Sequence, residues 1–258
     1  MLYAAALLIA AAAAAAIGYL LLVLPTQWLK VEKIRHPLGL GIRILQISDL
    51  HIERMRIKPR RLSAIIAREK PDYIFLTGDF TKEEKLLSRL DPYLRMLAGH
   101  RIPVYAVLGN HDYQQRKVIR LIKLIQYYGI ILLRNESVRM PGFELIGIDD
   151  YSTGKSNLRK SFQYADTDLP RIIITHDPNV VLAIKEPYDY LMAGHLHGKQ
   201  LNLPFFYTFR PMGKLPAMGI YKGLHSNNYG TFYISKGIGQ TAFNLRFLVR
   251  SEVTLHYL

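Results

Sequence analysis

The chain opens on its longest apolar run. Residues 2–24, LYAAALLIAAAAAAAIGYLLLVL, carry no charge and no strongly polar group. A helix rises about 1.5 Å per residue, so this segment reaches across the ~30 Å hydrocarbon core of a bilayer. A helix apolar on every side must be covered by protein all round or immersed in lipid. A cleaved secretory leader is the competing reading. It fits less well, because no Lys or Arg precedes the run and the run exceeds the roughly 7–15 residues of a leader's core. The pattern predicts an uncleaved single-pass anchor over residues 1–24, a juxtamembrane connection over 25–40 and one domain over 41–258.

From Gly41 the pattern changes to short apolar runs alternating with amphipathic stretches. IRILQISDLH reads as a strand ending at Asp49, and residues 59–70 as a helix with Leu62, Ile65 and Ile66 on one side. DYIFLTGD is a second strand. The stretch KEEKLLSRLDPYLRMLAGH has helical spacing, and IPVYAVLGNHD is a third strand. A helix over 114–128 precedes the strand FELIGIDD. RIIITHD and YDYLMAGHLHG add two strands with a poorly marked helix between them, and NYGTFYISKGIG and EVTLHYL close the chain as strands. Such alternation predicts an α/β fold with layered sheets.

What ends these strands is informative. Asp49 and His51, Asp79, Asn110 and His111, His176, then His195 and His197 all lie at or just past a strand's C-terminal end. That edge is where α/β folds bind ligands. Taken singly, an Asp there is a turn former or helix cap and a His a surface residue. Coincidence at five successive strand ends weakens those readings together. Five of the nine histidines fall at this edge. The set offers carboxylate, imidazole and amide donors without thiolate, which suits manganese, iron or zinc. Seven of these eight groups already exceed one tetrahedral site and match two ions about 3.5–4 Å apart, which Asp79 could bridge.

Charge and composition adjust this picture. Trp28 and Lys30 follow the apolar run as interface anchors do, and its C-terminal flank is basic, so the domain is expected on the cytoplasmic side. The formal net charge is +14, and Arg54, Arg56, Lys58, Arg60 and Arg61 cluster after DLHIE. A basic surface beside a membrane attracts anionic headgroups; nucleic acid would be drawn too. The chain has no cysteine, which excludes disulfides and thiolate metal sites.

DLH, GD, GNHD, THDP and GHLH, in this order, resemble the five blocks of the calcineurin-like metallophosphoesterases. The resemblance covers roughly Ile42 to Leu258, and the anchor with ISDLH, HDPN and YISKGIG resembles a membrane-associated bacterial phosphodiesterase subfamily. It implies a four-layer β-sandwich flanked by helices, preceded here by the transmembrane helix. It also implies that Asp49, His51 and His197 hold one divalent ion, that Asn110, His176 and His195 hold a second, and that Asp79 bridges them. Manganese is the expected metal, with iron or zinc as alternatives. Hydroxide on the metals would attack phosphorus, and His111 would assist the leaving group. Many relatives have a second Asp three residues after the Asp of GD, which orients this histidine; here Lys82 stands there. Asp112, taken as a second catalytic residue, or Glu83 is the candidate replacement. Asn110, Lys199 and Arg54 are candidate substrate contacts.

The expected activity is hydrolysis of a phosphodiester or pyrophosphate in a phosphate-containing small molecule or lipid at the membrane. A nuclease and a non-catalytic metal-binding scaffold are the alternatives. No obligate protein partner is inferred. The aromatic, basic stretch 201–224 is expected either to pack as a loop or to form a lipid-facing rim beside the metals.

Overall fold

Three buried apolar clusters set the layers. The computed structural model describes residues 2–203 and 212–258. Its first strands are β1 (Lys30–Arg35), β2 (Arg43–Ile47), β3 (Tyr73–Thr77), β4 (Val104–Val107), β5 (Ile131–Leu132), β6 (Glu136–Met140) and β7 (Phe143–Gly147). The later ones are β8 (Arg171–Ile174), β9 (Tyr190–Ala193), β10 (Gly223–Asn227), β11 (Gly230–Ile234) and β12 (Glu252–Tyr257). They form two six-stranded sheets, in the orders β1-β12-β2-β3-β4-β5 and β10-β11-β9-β8-β7-β6. Strands β2 to β5 run parallel, as do β7, β8, β9 and β11.

Side-chain alternation builds the sandwich. Ile172 and Ile174 of β8 face the first sheet and pack with its Ile44, Phe75 and Val107. Ile173, between them, faces the opposite way and packs with Val180, Ile184 and Leu191. The outer face of the first sheet carries Leu45, Ile47, Ile74 and Leu76. Three amphipathic helices cover it: α3 (Pro59–Glu69), α4 (Leu87–Gly99) and α5 (Val118–Tyr127). They bury Leu62 and Ile66, Leu90 and Leu94, and Leu121 and Ile125. Helix α3 starts on Pro59, whose missing N–H costs nothing in a first turn, and ends with Lys70 at φ 47°. The fold is the expected mixed α/β sandwich with flanking helices. Between His176 and Tyr190 the expected helix is one 3₁₀ segment, Pro178–Leu182.

The N-terminal run is helical from Leu2 to Gln27, as α1 (Leu2–Gly18), a π-turn and α2 (Leu24–Gln27). Its apolar window is unburied, and it is long and apolar enough to cross a membrane. The stretch 25–40 departs from the expected plain connection. Lys30–Arg35 pairs in parallel with β12, Lys30 opposite Glu252 through Arg35 opposite Tyr257. Its mixed charges concealed it, since a solvated edge strand tolerates Lys, Glu and Arg.

Candidate metal centre

The seven expected ligand residues converge in one pocket at the strand ends. His51 Nε2 lies 3.1 Å from His197 Nε2 and 3.3 Å from Asp79 Oδ2. His197 Nε2 is 3.4 Å from Asp49 Oδ1. In the second group His176 Nε2 lies 3.1 Å from His195 Nδ1, 3.1 Å from Asn110 Oδ1 and 3.2 Å from Asp79 Oδ2. Asp79 Oδ2 therefore belongs to both groups.

These separations fit metal ions. Donor atoms about 2.1 Å from a shared ion stand roughly 3.0–3.4 Å apart in octahedral to tetrahedral arrangements. Hydrogen bonds do not explain the arrangement as well. His176 donates its Nδ1–H to Thr77 O at 2.8 Å, which turns Nε2 toward His195 Nδ1 and two side-chain oxygens. The His/Asp clusters suit a dinuclear divalent site.

The backbone is shaped for this convergence. Asp49, His51, Asp79, His195 and His197 all have positive φ, between 41° and 72°. Residues with a Cβ seldom adopt that region, and each instance costs about 1–3 kcal/mol. The strain turns successive side chains off the strand ends into the pocket. Glycines make the room: a Cβ on Gly194 would collide with Ser48 Oγ and Asp49 Oδ2, and one on Gly109 with the Asp79 carboxylate. Ser48 Oγ donates to Asp49 Oδ2 at 2.6 Å, and His195 N donates to Asp49 Oδ1 at 3.1 Å.

Burial and charge oppose each other here. Burial disfavours the Asp79 carboxylate, but His176 and then His51 outweigh it and hold its pKa well below the usual range. The same pairing raises His176 and His51 against burial. His197 is lowered, by burial first and then by the His51 and Arg246 charges.

His111 stands at the rim of the first group. Its backbone N–H donates to Asp79 Oδ1 at 2.9 Å, and its ring meets that of His51 edge-on at 4.8 Å. Burial lowers its pKa, with Asp79 as the main opposing charge.

Asp112 is not placed to orient that ring. Its carboxylate accepts backbone N–H groups from Asp79 (3.0 Å), Phe80 (2.8 Å), Thr81 (3.1 Å) and Gly109 (2.9 Å). It pins the β3 and β4 loops together, and its sequence neighbourhood to His111 gave the wrong role. Burial and the Asp79 charge push it up to about 7 against those donors. Glu83 pairs instead with Lys85 at 2.9 Å. Sequence reasoning missed Glu53, whose Oε1 accepts from Thr81 Oγ1 (2.7 Å) and Lys82 N (2.5 Å) beside the position of the absent aspartate. Glu53 Oε2 and His111 Nδ1 are both buried without a hydrogen-bond partner. The signal available was its place in DLHIE, two residues after a ligand.

The candidate substrate contacts are more dispersed. Asn110 lies within the second group. Lys199 holds its ammonium 4.5 Å over the Tyr221 ring. Arg54 is half-buried in the turn after His51, its N–H donating to His51 O. Beside the second group opens a cleft of about 840 Å³, lined in part by Asn110, His195, Tyr151, Ser152, Asp177 and Lys214. Of the stretch expected as a rim, residues 204–211 lie outside the described residues.

Two packed sheets with paired His/Asp clusters at their strand ends define a metal-dependent phosphoesterase class. The model of the calcineurin-like phosphoesterase family matches residues 42–199, and the chain belongs to that family. It is 41% identical over 224 residues to the Bacillus subtilis protein described as uncharacterized metallophosphoesterase YkoQ, with 83% of each chain covered. It is 30% identical over 242 residues to Escherichia coli phosphodiesterase YaeI, with 87% of each covered. A Danio rerio "transmembrane protein with metallophosphoesterase domain" is 27% identical over 87% of this chain and 54% of its own length. One crystal structure superposes with a TM-score of 0.50 at 14% identity, over 76% of this chain and 90% of the other, a likeness of fold.

Proposed function

We propose that this is a membrane-anchored phosphoesterase that uses two divalent cations, manganese first among them, to hydrolyse a phosphodiester or pyrophosphate bond in a lipid- or nucleotide-linked substrate. The observation that carries the reading is Asp79 Oδ2, shared between two groups of imidazole and side-chain oxygen donors. Asp49, His51 and His197 would hold one cation, Asn110, His176 and His195 the other. Two cations there would neutralise phosphate oxygens and acidify a water.

The chain's own residues do the rest. Asp79 aligns the two halves of the pocket and fixes the His111 backbone through Oδ1. Burial keeps His111 below the usual imidazole range, and an anionic phosphate arriving beside it draws a proton onto the ring. The ring then gives that proton to the leaving oxygen. The cleft beside Asn110 and His195 receives the organic part of the substrate.

The name of the Escherichia coli relative supports a phosphodiester, and that of the Danio rerio relative supports an anchor. The unburied apolar helix and its basic C-terminal flank support a single span with the domain on the cytoplasmic side. The test is hydrolysis of bis(p-nitrophenyl) phosphate, p-nitrophenyl phosphate and single-stranded DNA by the full chain in detergent. Turnover of the chromogenic diester should vanish with a chelator, return with manganese and be absent from Asp79→Asn. No turnover in a folded, manganese-loaded sample rejects the reading, and preferential cleavage of DNA replaces it with a nuclease.

A further inference from the structure

The apolar helix is joined to the domain by a web of hydrogen bonds. Arg246 N donates to Leu22 O at 2.9 Å, and Ser251 N donates to Pro25 O at 3.0 Å. Ser251 Oγ reaches Thr26 O at 3.1 Å, and Arg61 Nη1 reaches Gln27 O at 3.1 Å. Arg250 Nε donates to Trp28 O at 3.2 Å, with its guanidinium 3.8 Å over the indole. The carbonyls that a helix end leaves unpaired are thus taken up by the domain.

The segment that does this also reaches the metal pocket. Ile238 N donates to Ser48 O and Gly239 N to Asp49 O, at 2.9 and 2.8 Å. The wholly buried Arg246 guanidinium donates to the carbonyls of Lys236, Gly237 and Gly239 at 2.9, 3.0 and 2.7 Å, tying the segment into one piece. Gln200, three residues after His197, donates to Thr241 O and Phe243 O, both at 2.8 Å.

This geometry sets a depth. Leu22 lies in the last two turns of the helix, so if the helix spans lipid, the Arg246 segment sits at the bilayer surface. There Phe243 is 62% and Leu248 67% exposed. Exposed Leu203 adjoins them, because Asn202 N donates to Phe247 O at 3.1 Å. Arginines flank the patch: Arg56 donates to Asn244 Oδ1 at 3.1 Å, and Arg61 and Arg250 sit at the helix exit. Apolar tips ringed by guanidinium groups match the boundary between acyl chains and anionic headgroups.

We infer that segment 241–248, with Leu203, is a second membrane contact. Phe243 and Leu248 enter the headgroup–acyl boundary, and the metal pocket is held against the lipid surface. This rests on the helix being a membrane anchor, as proposed above. The occupant is an anionic phospholipid bilayer, since continuity with the lipid-spanning helix and the flanking arginines both favour it over a second copy of the chain.

The absence of cysteine makes the test direct. Phe243→Cys and Leu248→Cys each receive one nitrobenzoxadiazole fluorophore. The control is Tyr164→Cys, an exposed position two residues beyond the short helix Leu158–Phe162, which packs on β6 at the far edge of the second sheet. The full chain is reconstituted in phosphatidylcholine–phosphatidylglycerol vesicles and floated. Labels at 243 and 248 should shift to the blue and be quenched at least twofold by doxyl-labelled lipid, with the label at 164 unchanged. In Phe243→Asp/Leu248→Asp, a label at Leu203→Cys should lose its shift, while hydrolysis of soluble bis(p-nitrophenyl) phosphate stays within twofold. If the chain floats but the 243 and 248 labels match the control, the docking surface is wrong and the anchor stands. If the chain fails to float, the anchor reading falls and takes the inference with it. Shielding from aqueous iodide without lipid quenching, together with energy transfer between labels, overturns the lipid assignment in favour of a second copy.

Discussion

Two buried clusters of polar side chains in this protein use the same residue types and reach opposite ends. Between the sheets, His256 places Nδ1 2.9 Å from Tyr190 OH and Nε2 3.1 Å from Gln46 Oε1. Gln46 Nε2 in turn donates to Thr77 Oγ1 and Ala193 O, both at 3.0 Å. Every ring nitrogen there has a complementary partner, and the cluster is satisfied by protein alone. A few residues along the same strands, imidazole nitrogens and side-chain oxygens crowd around Asp79 Oδ2. A buried polar group without a partner is costly. The first cluster is thus a piece of the core, and the second suits a pair of divalent cations.

The contrast breaks most visibly at Asp79. Asp79→Asn should lose both ions and lower kcat/KM by more than the roughly 100-fold that changes behind a metal ligand produce. Elemental analysis alongside the chromogenic diester assay reads both. Next is His111→Ala, expected to lower kcat by about 10²–10⁴-fold with metal content unchanged. Loss of the ions in that variant would make His111 a ligand.

The satisfied cluster has its own pH signature. Burial lowers the His256 pKa to about 3. A folded-state pKa below the unfolded one means that the stability it carries is present above about pH 6.5 and is lost as pH falls toward 3. Wild type should lose about 2 kcal/mol between pH 6.5 and 4.5 from this group. Urea unfolding of His256→Gln should show a shallower acid limb; equal slopes would reject the assignment. Asp112→Asn should cost about 1–3 kcal/mol by replacing an oxygen that accepts two backbone N–H groups with an NH2 that accepts none, seen as a lower Tm with metal still bound. The smallest effect belongs to Lys199→Met, about 0.5–1 kcal/mol of stability for its contact with Tyr221 and no change in kcat.

Much of the site was legible because its residues recur at strand ends, a position that pattern alone identifies. Short apolar runs set between amphipathic stretches marked β2, β3, β4, β8 and β9, and with them the seven donors. What remained hidden depends on distant partners. β1 reads as a charged linker until β12 lies beside it. His256 and His195 are both histidines near strands, and only the facing Tyr190 and Gln46 distinguish the first. Asp112 adjoins His111 in sequence, yet its carboxylate turns toward the amides of the neighbouring loop. Glu53 could be recognised only once Thr81 and the Lys82 backbone lay against it. The positive φ at five ligand positions is a property of the folded turns, and non-glycine residues give no warning of it.

The most direct test is anomalous diffraction from crystals of the full chain grown with manganese. Two peaks should appear about 3.5–4 Å apart, one among Asp49, His51 and His197, the other among Asn110, His176 and His195, with Asp79 between. A manganese-grown crystal showing no peak in the pocket, or a single ion that leaves either group unligated, would contradict the account.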